Sequence, residues 1–284
     1  METARTIESA RKAVSKARSE GRSIGFVPTM GALHAGHISL IKAAANKCEF
    51  VVVSIFVNPT QFGPSEDLDK YPRDLNSDSG ICEQAGVDLI FAPEINEIYP
   101  DISSTWVNVE RLTDNLCGRS RQGHFRGVTT VCTKLFNITG ADIAFFGQKD
   151  AQQVIVIKRM IADLNIPVEI VICPTVRESG GLAVSSRNRY LSEDEKQDAR
   201  LLFTSLQTCE KMIAEGIRNS KELINAMREV ISKSPIIEIE YISIADVENL
   251  EDIEVVKGMA LVALAVKVGS TRLIDNVIVN LNIQ

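Results

Sequence analysis

Two of the three histidines in this 284-residue chain, His34 and His37, lie three positions apart near the end of the segment 28–37. Residues at positions i and i+3 share one side of a helical turn, so both imidazoles can face the same ligand. An apolar run over 24–27 precedes the segment, and a helical pattern begins at its end. A helix N-terminus offers free N–H groups and a favourable dipole to phosphate. The histidine pair predicts a nucleotide site; the alternative is a strand-to-helix turn with two surface histidines.

Two neutral amides, Asn58 and Gln61, follow the next strand candidate. Amides bind hydroxyls and carboxylates without adding charge, which suits a pocket for a small polar substrate. Turn chemistry explains the Asn58-Pro59 pair equally well, because both residue types favour turns. The amides therefore leave a substrate pocket and an ordinary turn as open alternatives.

Two later segments carry groups that bind phosphate. Lys149 lies between a strand candidate and a helix candidate, where an ammonium can counter phosphate charge, and Asp150 is positioned as an N-cap. Behind the double glycine at 180–181, two serines and an arginine can hold polyphosphate while the glycines let the loop close. A solvated lysine and a mobile interdomain linker are the alternatives.

Charged side chains elsewhere could also meet a ligand. The segment 117–127 is rich in glycine and arginine, and arginines bind carboxylates with two parallel hydrogen bonds, although a solvated basic loop explains it equally. Asp78 offers a carboxylate to a hydrated Mg²⁺, which takes only one or two from protein. A surface carboxylate on a helix is the alternative for Asp78.

Composition narrows the class of protein. A net charge of −6 argues against a nucleic-acid surface, which needs a broad basic stripe. The six cysteines are scattered without the spacing of a zinc site, which favours a reducing compartment. An acidic N-terminal segment predicts no signal peptide, and no apolar run reaches membrane length. We expect a cytoplasmic protein that binds small anionic ligands, with no nucleic acid or membrane partner.

Helical and strand patterns alternate through the first part of the chain. We predict helices over 7–18, 37–45, 75–85, 127–137 and 151–164 and strands over 24–27, 50–57, 88–91, 105–109, 141–146 and 168–172. This alternation predicts an α/β fold with a doubly wound, mostly parallel Rossmann-like sheet. Ligands of such sheets bind beyond the carboxyl ends of the strands, and the residues singled out above follow strand candidates.

The pattern changes after residue 175. We predict helices over 193–215 and 220–233 and strands over 237–244, 259–268 and 271–281. Residues 1–175 would then form a nucleotide- and substrate-binding domain. Residues 176–284 would form a smaller α+β domain of helices and an antiparallel three-stranded sheet, which carries the Ser-Ser-Arg loop.

Six segments, in their order along the chain, resemble the pantoate–β-alanine ligases, a family of the nucleotidyltransferase superfamily with the His-x-x-His turn. The segments are Pro28–His37, Val53–Phe62, Tyr71–Arg73, Gly123–Val128, Phe146–Asp150 and Ser185–Asn188. The resemblance covers residues 24–191 closely and the C-terminal third more loosely. It departs from the family at Gln148, often Glu, at Val184, often Met or Leu, and at Gln122, usually Pro.

The resemblance implies a reaction in two halves. Pantoate carboxylate would attack the α-phosphate of ATP, giving an enzyme-bound pantoyl adenylate and pyrophosphate. The amine of β-alanine would then displace AMP to form pantothenate. The family further implies a homodimer and Mg²⁺ that accompanies ATP, which we expect near Asp78.

The resemblance also implies residue roles. His34, His37 and Lys149 would be catalytic and would stabilise charge on the phosphates, and the family assigns His37 a proton-donor role. ATP would be bound by Met30, Gly31, Ala32, Leu33, His34, Ala35, Gly36, His37, Gly147, Gln148, Lys149, Asp150, Val176, Val184, Ser185, Ser186 and Arg187. Pantoate and β-alanine would be bound by Met30, Asn58, Gln61, Gln153, Tyr71 and Arg121.

Two other functions stay open from the sequence. A cytidylyltransferase would need cationic side chains for an acceptor phosphate, where Asn58, Gln61 and Gln153 are neutral. A non-catalytic nucleotide-sensing protein would have no need of both histidines together with Lys149.

Overall fold

The computed structural model describes residues 1–64 and 66–281. Its helices are α1 (Ile7–Ser19), α2 (Ala35–Lys47), α3 (Leu75–Gln84), α4 (Ile95–Ile98), α5 (Cys117–Ser120), α6 (His124–Thr139), α7 (Ala151–Asp163), α8 (Glu193–Ala214) and α9 (Ser220–Ile231). Its strands are β1 (Glu2–Ala4), β2 (Ile24–Thr29), β3 (Phe50–Ile55), β4 (Leu89–Phe91), β5 (Ile143–Gly147), β6 (Glu169–Cys173), β7 (Ile237–Asp246), β8 (Met259–Val268) and β9 (Thr271–Asn280). Short 3₁₀ turns cover Pro59–Gln61, Gln148–Asp150 and Ser186–Tyr190.

The described part of the chain divides into two compact units. The first comprises residues 1–110, 121–147 and 156–174, and the second comprises 111–120, 148–155 and 175–284. Two short segments before residue 175 therefore group with the C-terminal residues. The assignment of separate functions to residues 1–175 and 176–284 stays a prediction.

A parallel sheet organises the first unit. Its strands lie in the order β1-β4-β3-β2-β5-β6, and every pair in it is parallel. Strand β3 is buried along almost its whole length, as its run of β-branched residues predicts for a strand covered on both faces. The chain runs outward from β2 through β3 to β4 and then returns to place β5 on the other side of β2. This reversal of strand order creates the crevice where ligands of such sheets bind.

An antiparallel sheet organises the second unit. Its strands lie in the order β7-β8-β9, and helices α8 and α9 contribute Leu202, Leu206 and Met227 to the same apolar core. Helix α8 begins at a capping box, in which the side chain of Ser192 accepts from the backbone of Glu195 and the reverse bond is also made. The predicted fold class, a parallel α/β sheet with a C-terminal antiparallel sheet, is confirmed. Within the described residues no helix combines the length and apolar character needed to cross a membrane.

The strand predicted over 105–109 is wrong, because residues 103–110 adopt no regular secondary structure. The backbone of Val107 pairs with side chains on α6 instead of with another strand. Its N–H donates to Thr130 Oγ1 at 3.0 Å, and its carbonyl accepts from Thr129 Oγ1 at 2.7 Å. An alternating pattern reports that one face is covered, but it does not report which element covers it.

Helix α6 presses its first turn against the 3₁₀ turn Pro59–Gln61, and Gly127 makes this approach possible. A Cβ on Gly127 would lie 2.7 Å from the backbone nitrogen of Gln61 and closer still to the carbonyl oxygen of Thr60. No side chain fits at such distances, so a glycine is required there. This packing fixes the position of the turn that follows β3.

Replacing Gly127 with alanine should therefore push the turn away from α6. We expect Gly127→Ala to lower the free energy of unfolding by about 1–3 kcal/mol, since overpacking forces backbone shifts of this cost. The matched control is Gly80→Ala in α3, where a Cβ meets no atom within 4 Å. That change should be neutral or stabilising by up to about 1 kcal/mol. Chemical denaturation measures both, and equal stability of the two variants would contradict the packing argument.

Candidate active site

The two histidines of the turn after β2 face each other at the start of α2. His34 is the N-cap residue with extended backbone, and its ring centroid lies 4.0 Å from that of His37. The backbone N–H of His34 points at Nδ1 of His37 at a distance of 3.3 Å. Because Nδ1 accepts this bond, a neutral His37 carries its proton on Nε2. Both side chains are half-buried.

A buried carboxylate holds the turn that leads into the histidines. Asp78 accepts the backbone N–H of Ala32 at 2.9 Å and that of Leu33 at 2.8 Å, one on each oxygen. Gly31 and Ala32 both have positive φ angles, of 79° and 52°. A non-glycine residue adopts this conformation only when its surroundings compensate for the strain. Asp78 supplies that compensation through two charge-assisted hydrogen bonds.

Asp78 does not fit the Mg²⁺ site expected from the sequence. Only 3% of the residue is exposed, and each carboxylate oxygen already accepts a backbone N–H. Mg²⁺ keeps most of its water shell, which needs an open carboxylate. Among the described residues no cluster of three or more His, Cys, Asp or Glu side chains could hold a metal ion. The protein thus uses Asp78 to shape the turn.

The amides after β3 form a closed hydrogen-bond network. Asn58 is 1% exposed, and its Nδ2 donates to the carbonyl of Gly127 at 3.2 Å and to Oε1 of Gln61 at 3.0 Å. Its Oδ1 accepts from the hydroxyls of Thr60 at 2.9 Å and Tyr99 at 3.0 Å. All four partners belong to the first unit. The side chain of Asn58 is therefore held in one orientation.

The same network links the amides to the histidine turn. Nε2 of Gln61 lies 3.2 Å from the sulfur of Met30, which follows β2 directly. Residues after two neighbouring strands of the parallel sheet thus come together at its carboxyl edge. The structure brings together Met30, Asn58 and Gln61, three of the residues predicted to bind substrate.

Arg121, which the resemblance places beside β-alanine, pairs with a glutamate of the same unit. Its Nε and Nη2 donate to the two carboxylate oxygens of Glu66 at 2.6 and 2.8 Å. Its Nη1 lies 2.9 Å from Nε2 of His124. An arginine only donates, so Nε2 of His124 accepts and its Nδ1 donates to the carbonyl of Gln61 at 2.8 Å. Contact between Arg121 and β-alanine stays a prediction.

The ion pair changes the acidity of Glu66. Burial by itself raises the pKa of this carboxyl, but the hydrogen bonds and charge of Arg121 outweigh burial and lower the pKa to about 2. Glu66 is therefore charged across the physiological range. Its charge compensates that of Arg121 beside the amide cluster.

Two residues predicted to bind substrate remain: Tyr71 in the first unit and Gln153 near the start of α7. Tyr71 is 5% exposed and meets the ring of Phe62 edge-on at 5.8 Å. Gln153 is half-buried on the first turn of α7. Its neighbour Gln152 is structural, since its amide bonds the backbones of Leu112, Asn115 and Cys117 at 2.7–3.0 Å.

Lys149 stands in a turn of the second unit that Asn276 holds in place. The side-chain amide of Asn276 donates to the carbonyls of Gln148 and Lys149 at 3.1 and 2.9 Å. Its Oδ1 accepts from Nε2 of Gln148 at 2.9 Å. The Lys149 ammonium lies 4.0 Å from a carboxylate oxygen of Asp150. The glutamine that departs from the family pattern at 148 thus has a defined partner here.

The serine–arginine loop is packed more firmly than its double glycine suggests. Gly181 has a φ of +88°, and a Cβ there would overlap the ring of Phe203, while one on Gly180 would overlap Arg200. Arg177 crosses the ring of Phe203 at 4.0 Å and pairs with the buried Asp275 at 2.6 and 3.0 Å. Gly181 is therefore required for close packing against α8, whereas the flexible side chain of Arg200 can move away from a Cβ on Gly180.

The backbone around the loop is also bonded. Val184 donates to the carbonyl of Val176 at 2.9 Å, which joins two residues predicted to contact ATP. Ser185 caps the 3₁₀ turn of Ser186 and Arg187 by accepting the N–H of Arg187 at 3.3 Å. These bonds order the residues predicted to hold phosphate.

The sequence did not point to Glu66 or Tyr99, and it gave no packing role to Gly127, the last residue of the glycine- and arginine-rich segment 117–127. Their partners lie tens of positions away: Tyr99 is 41 positions from Asn58, and Glu66 is 55 from Arg121. No local pattern signals such pairs.

The depressed pKa of Glu66 predicts a pH-dependent contribution to stability. A carboxyl with a lowered pKa in the folded state stabilises the fold above its unfolded pKa and loses that contribution as pH falls through its folded value. We expect Glu66→Gln to lower the free energy of unfolding by on the order of 3 kcal/mol near neutral pH. The difference from wild type should shrink between about pH 4.5 and pH 2. Denaturant titrations at several pH values measure it, and a difference independent of pH would refute the ion-pair interpretation.

Comparison with known proteins adds a finding that covers almost the whole chain. The family model described as pantoate-beta-alanine ligase matches residues 2–278. The pantothenate synthetase of Pelotomaculum thermopropionicum is 54% identical over 273 residues, which cover 96% of this chain and 97% of the relative. That of Moorella thermoacetica is 52% identical over 282 residues, 99% of this chain and 100% of the relative.

Solved structures agree with the sequence relatives. The pantothenate synthetase of Thermus thermophilus matches with a TM-score of 0.93 and 42% identity over 98% of this chain and 99% of that one. A pantoate-beta-alanine ligase of Francisella tularensis, complexed with β-γ ATP and β-alanine, matches with a TM-score of 0.81 and 36% identity over 98% and 97% of the two chains. The chain therefore belongs to the pantoate–β-alanine ligase family, a family of ATP-dependent ligases.

Proposed function

We propose that this chain condenses pantoate with β-alanine, using ATP, to give pantothenate, AMP and pyrophosphate through an enzyme-bound pantoyl adenylate. The contact between Gln61 and Met30 at 3.2 Å is the observation that carries this proposal beyond family membership. It joins a pocket of neutral amides to the turn that bears His34 and His37. An uncharged pocket suits a hydroxy acid, and the paired imidazoles suit the phosphate that this acid attacks. The Francisella neighbour, complexed with β-γ ATP and β-alanine, supports both of those ligands.

In the first half-reaction a carboxylate oxygen of pantoate forms a bond to the α-phosphorus of ATP. The bond to the bridging oxygen breaks, and pyrophosphate leaves with the electron pair. Negative charge increases on the α-phosphoryl oxygens as the new bond forms. His34 and His37 stabilise that charge, and Nε2–H of His37 is the donor that its tautomer provides.

The nucleotide is held by the residues of three segments. Met30 to His37 contact it along the turn, Gly147 to Asp150 and Val176 contact the adenosine, and Val184 to Arg187 hold the phosphate chain. Lys149 neutralises phosphate charge, as its position in the 3₁₀ turn just before α7 allows. Mg²⁺ would accompany ATP and supply positive charge to its phosphates, and no step depends on Asp78.

In the second half-reaction the neutral amine of β-alanine attacks the acyl carbon of pantoyl adenylate. The carbon–nitrogen bond forms, AMP leaves with the electrons of the acyl–oxygen bond, and the nitrogen releases a proton. Gln61, with Gln153 and Met30, holds the pantoyl group, and Tyr71 and Arg121 lie on the β-alanine side. Because Arg121 already binds Glu66, a β-alanine carboxylate competes with Glu66 for its N–H groups.

We further propose that the protein works as a homodimer in the cytoplasm. The family resemblance carries the homodimer, and the scattered free cysteines support a reducing compartment. Its partners are the small substrates and a second copy of the chain. Residues 1–175 would serve nucleotide and pantoate binding, and residues 176–284 would supply the phosphate loop.

Isotope exchange tests the proposed function. With pantoate and ATP present and β-alanine absent, labelled pyrophosphate should enter ATP, because the first half-reaction is reversible. Addition of β-alanine should then release AMP and pantothenate in equal amounts. Exchange into ATP that needs no pantoate would favour another nucleotidyltransferase. So would exchange of labelled pyrophosphate into CTP that requires a phosphorylated acceptor. Absence of any exchange would favour a nucleotide-sensing protein.

Loss of the His37 ring should slow adenylate formation. We expect His37→Ala to lower the rate of pantoate-dependent exchange by about 10²–10³-fold, the usual effect of one charge-stabilising donor. Thermal stability should change little. The control is Lys42→Ala, an exposed position on the same helix, which should retain full exchange. Near-normal exchange in the His37 variant would overturn its assigned role.

Loss of the Lys149 charge should lower the exchange rate and leave the stability of the fold unchanged. Lys149→Met keeps the length of the side chain and removes its charge, so we expect about 10²-fold lower exchange. Lys158→Met, at an exposed position of α7, is the matched control and should leave the exchange rate unchanged. Steady-state rates and melting temperatures of both variants decide the matter. Equal rates for the two variants would remove Lys149 from the site.

A further inference from the structure

We propose that Tyr99 is a positioning residue for the pantoate pocket: its hydroxyl fixes the amide of Asn58, and Asn58 in turn directs the N–H₂ group of Gln61 toward substrate. The inference rests on the proposed function, since it deepens the role of the amide cluster. Tyr99 touches neither Gln61 nor Met30 in any hydrogen bond of the network. Its hydroxyl donates to Asn58, 41 positions earlier in the chain, and lies 3.2 Å from the hydroxyl of Thr60, which is itself a partner of Asn58.

The orientation of the Asn58 amide follows from neighbouring groups that can only accept or only donate a hydrogen bond. The backbone carbonyl of Gly127 only accepts, so the atom 3.2 Å from it must be the nitrogen. The oxygen then faces the other way, where the backbone N–H of Thr60 and the hydroxyls of Thr60 and Tyr99 surround it. Because Asn58 is only 1% exposed, water does not compete for these hydrogen bonds. Asn58 is thereby left with one N–H for its remaining neighbour.

That remaining N–H dictates the orientation of Gln61. Nδ2 of Asn58 lies 3.0 Å from the Gln61 amide and donates, so the Gln61 atom that faces it is Oε1. Nε2 of Gln61 consequently points away from Asn58, to within 3.2 Å of the sulfur of Met30. Thioether sulfur is a weak acceptor. A carboxylate or hydroxyl oxygen of pantoate is a much better one, so Gln61 presents a donor to substrate before substrate arrives.

Tyr99 is suited to anchor this series of hydrogen bonds because it lies outside the turn that carries Asn58 and Gln61. Thr60 also donates to Asn58, but it lies in the same turn and moves with it. Tyr99 follows α4, its ring packs 6.2 Å from Phe56, and the ammonium of Lys134 on α6 lies 5.5 Å from the ring centroid. Burial raises the pKa of Tyr99, which keeps its hydroxyl protonated as a donor.

The test removes the Tyr99 hydroxyl and keeps the ring. We expect Tyr99→Phe to raise the KM for pantoate in the exchange assay by about tenfold, the effect of one buried hydrogen bond. The KM for ATP and the melting temperature should change little. Tyr190→Phe, the same change at a 40% exposed tyrosine, is the control. Thr60→Val, which removes the local donor, should raise the pantoate KM less.

A double-mutant cycle separates positioning from packing. If Tyr99 acts through Asn58, Tyr99→Phe should have no further effect on the pantoate KM in an Asn58→Ala background. A tenfold effect in both backgrounds, an unchanged KM in the single variant, or equal rises in the KM values for pantoate and ATP would overturn the inference. Wild type that lacks pantoate-dependent exchange would instead overturn the proposed function on which the inference rests.

Discussion

The buried amide of Asn58 is the interaction on which the arrangement of the first unit's site depends. At 1% exposure it bonds a turn after β3, the first turn of α6 and the residue that follows α4. A buried polar group left without partners costs about 1–3 kcal/mol, so the elements that supply them are held to one geometry. Gly127 allows α6 to come close enough to supply one of those partners. Close packing and hydrogen bonding here support each other.

The same matching of buried polar groups recurs through both units. Asp78 directs its two oxygens at the strained turn before the histidines, Glu66 neutralises Arg121, and Asp275 neutralises Arg177 beside the serine–arginine loop. Each of these carboxylates, of which Asp78 and Asp275 are buried and Glu66 is half-buried, is matched by N–H donors, as burial of charge demands. Asp78 and Arg121, both expected to bind ligands, are held by bonds within the first unit: Asp78 supports the turn before the histidines, and Arg121 pairs with Glu66. The histidines and the Gln61 amide are the groups that we propose bind substrate. In the reaction that we propose, such preorganisation stabilises charge without rearrangement of the protein.

Local patterns predicted most of the elements, and the exceptions have physical causes. The β-branched run of β3 and the long amphipathic helices α8 and α9 carry strong periodic signals. Strand β1 has three residues, too few for any period, and forms by pairing with β4. The segment around Val107 has a strand-like pattern, yet its backbone bonds threonine side chains of α6. Residue order did not reveal that partner.

The sequence alone determined which chemical groups are present and which lie close along the chain: the histidine pair, the two amides after β3, and the lysine and serine–arginine segments in the order of their family. These are properties of residue type and short spacing, which periodicity and resemblance detect. Only the tertiary structure decided that Asp78 holds a turn, that Arg121 binds Glu66, that Gly181 packs against Phe203 of α8, and which end of the Gln61 amide faces Met30. The reason is that a hydrogen bond or ion pair depends on positions in space. Partners separated by tens of residues meet only after the strands and helices have packed.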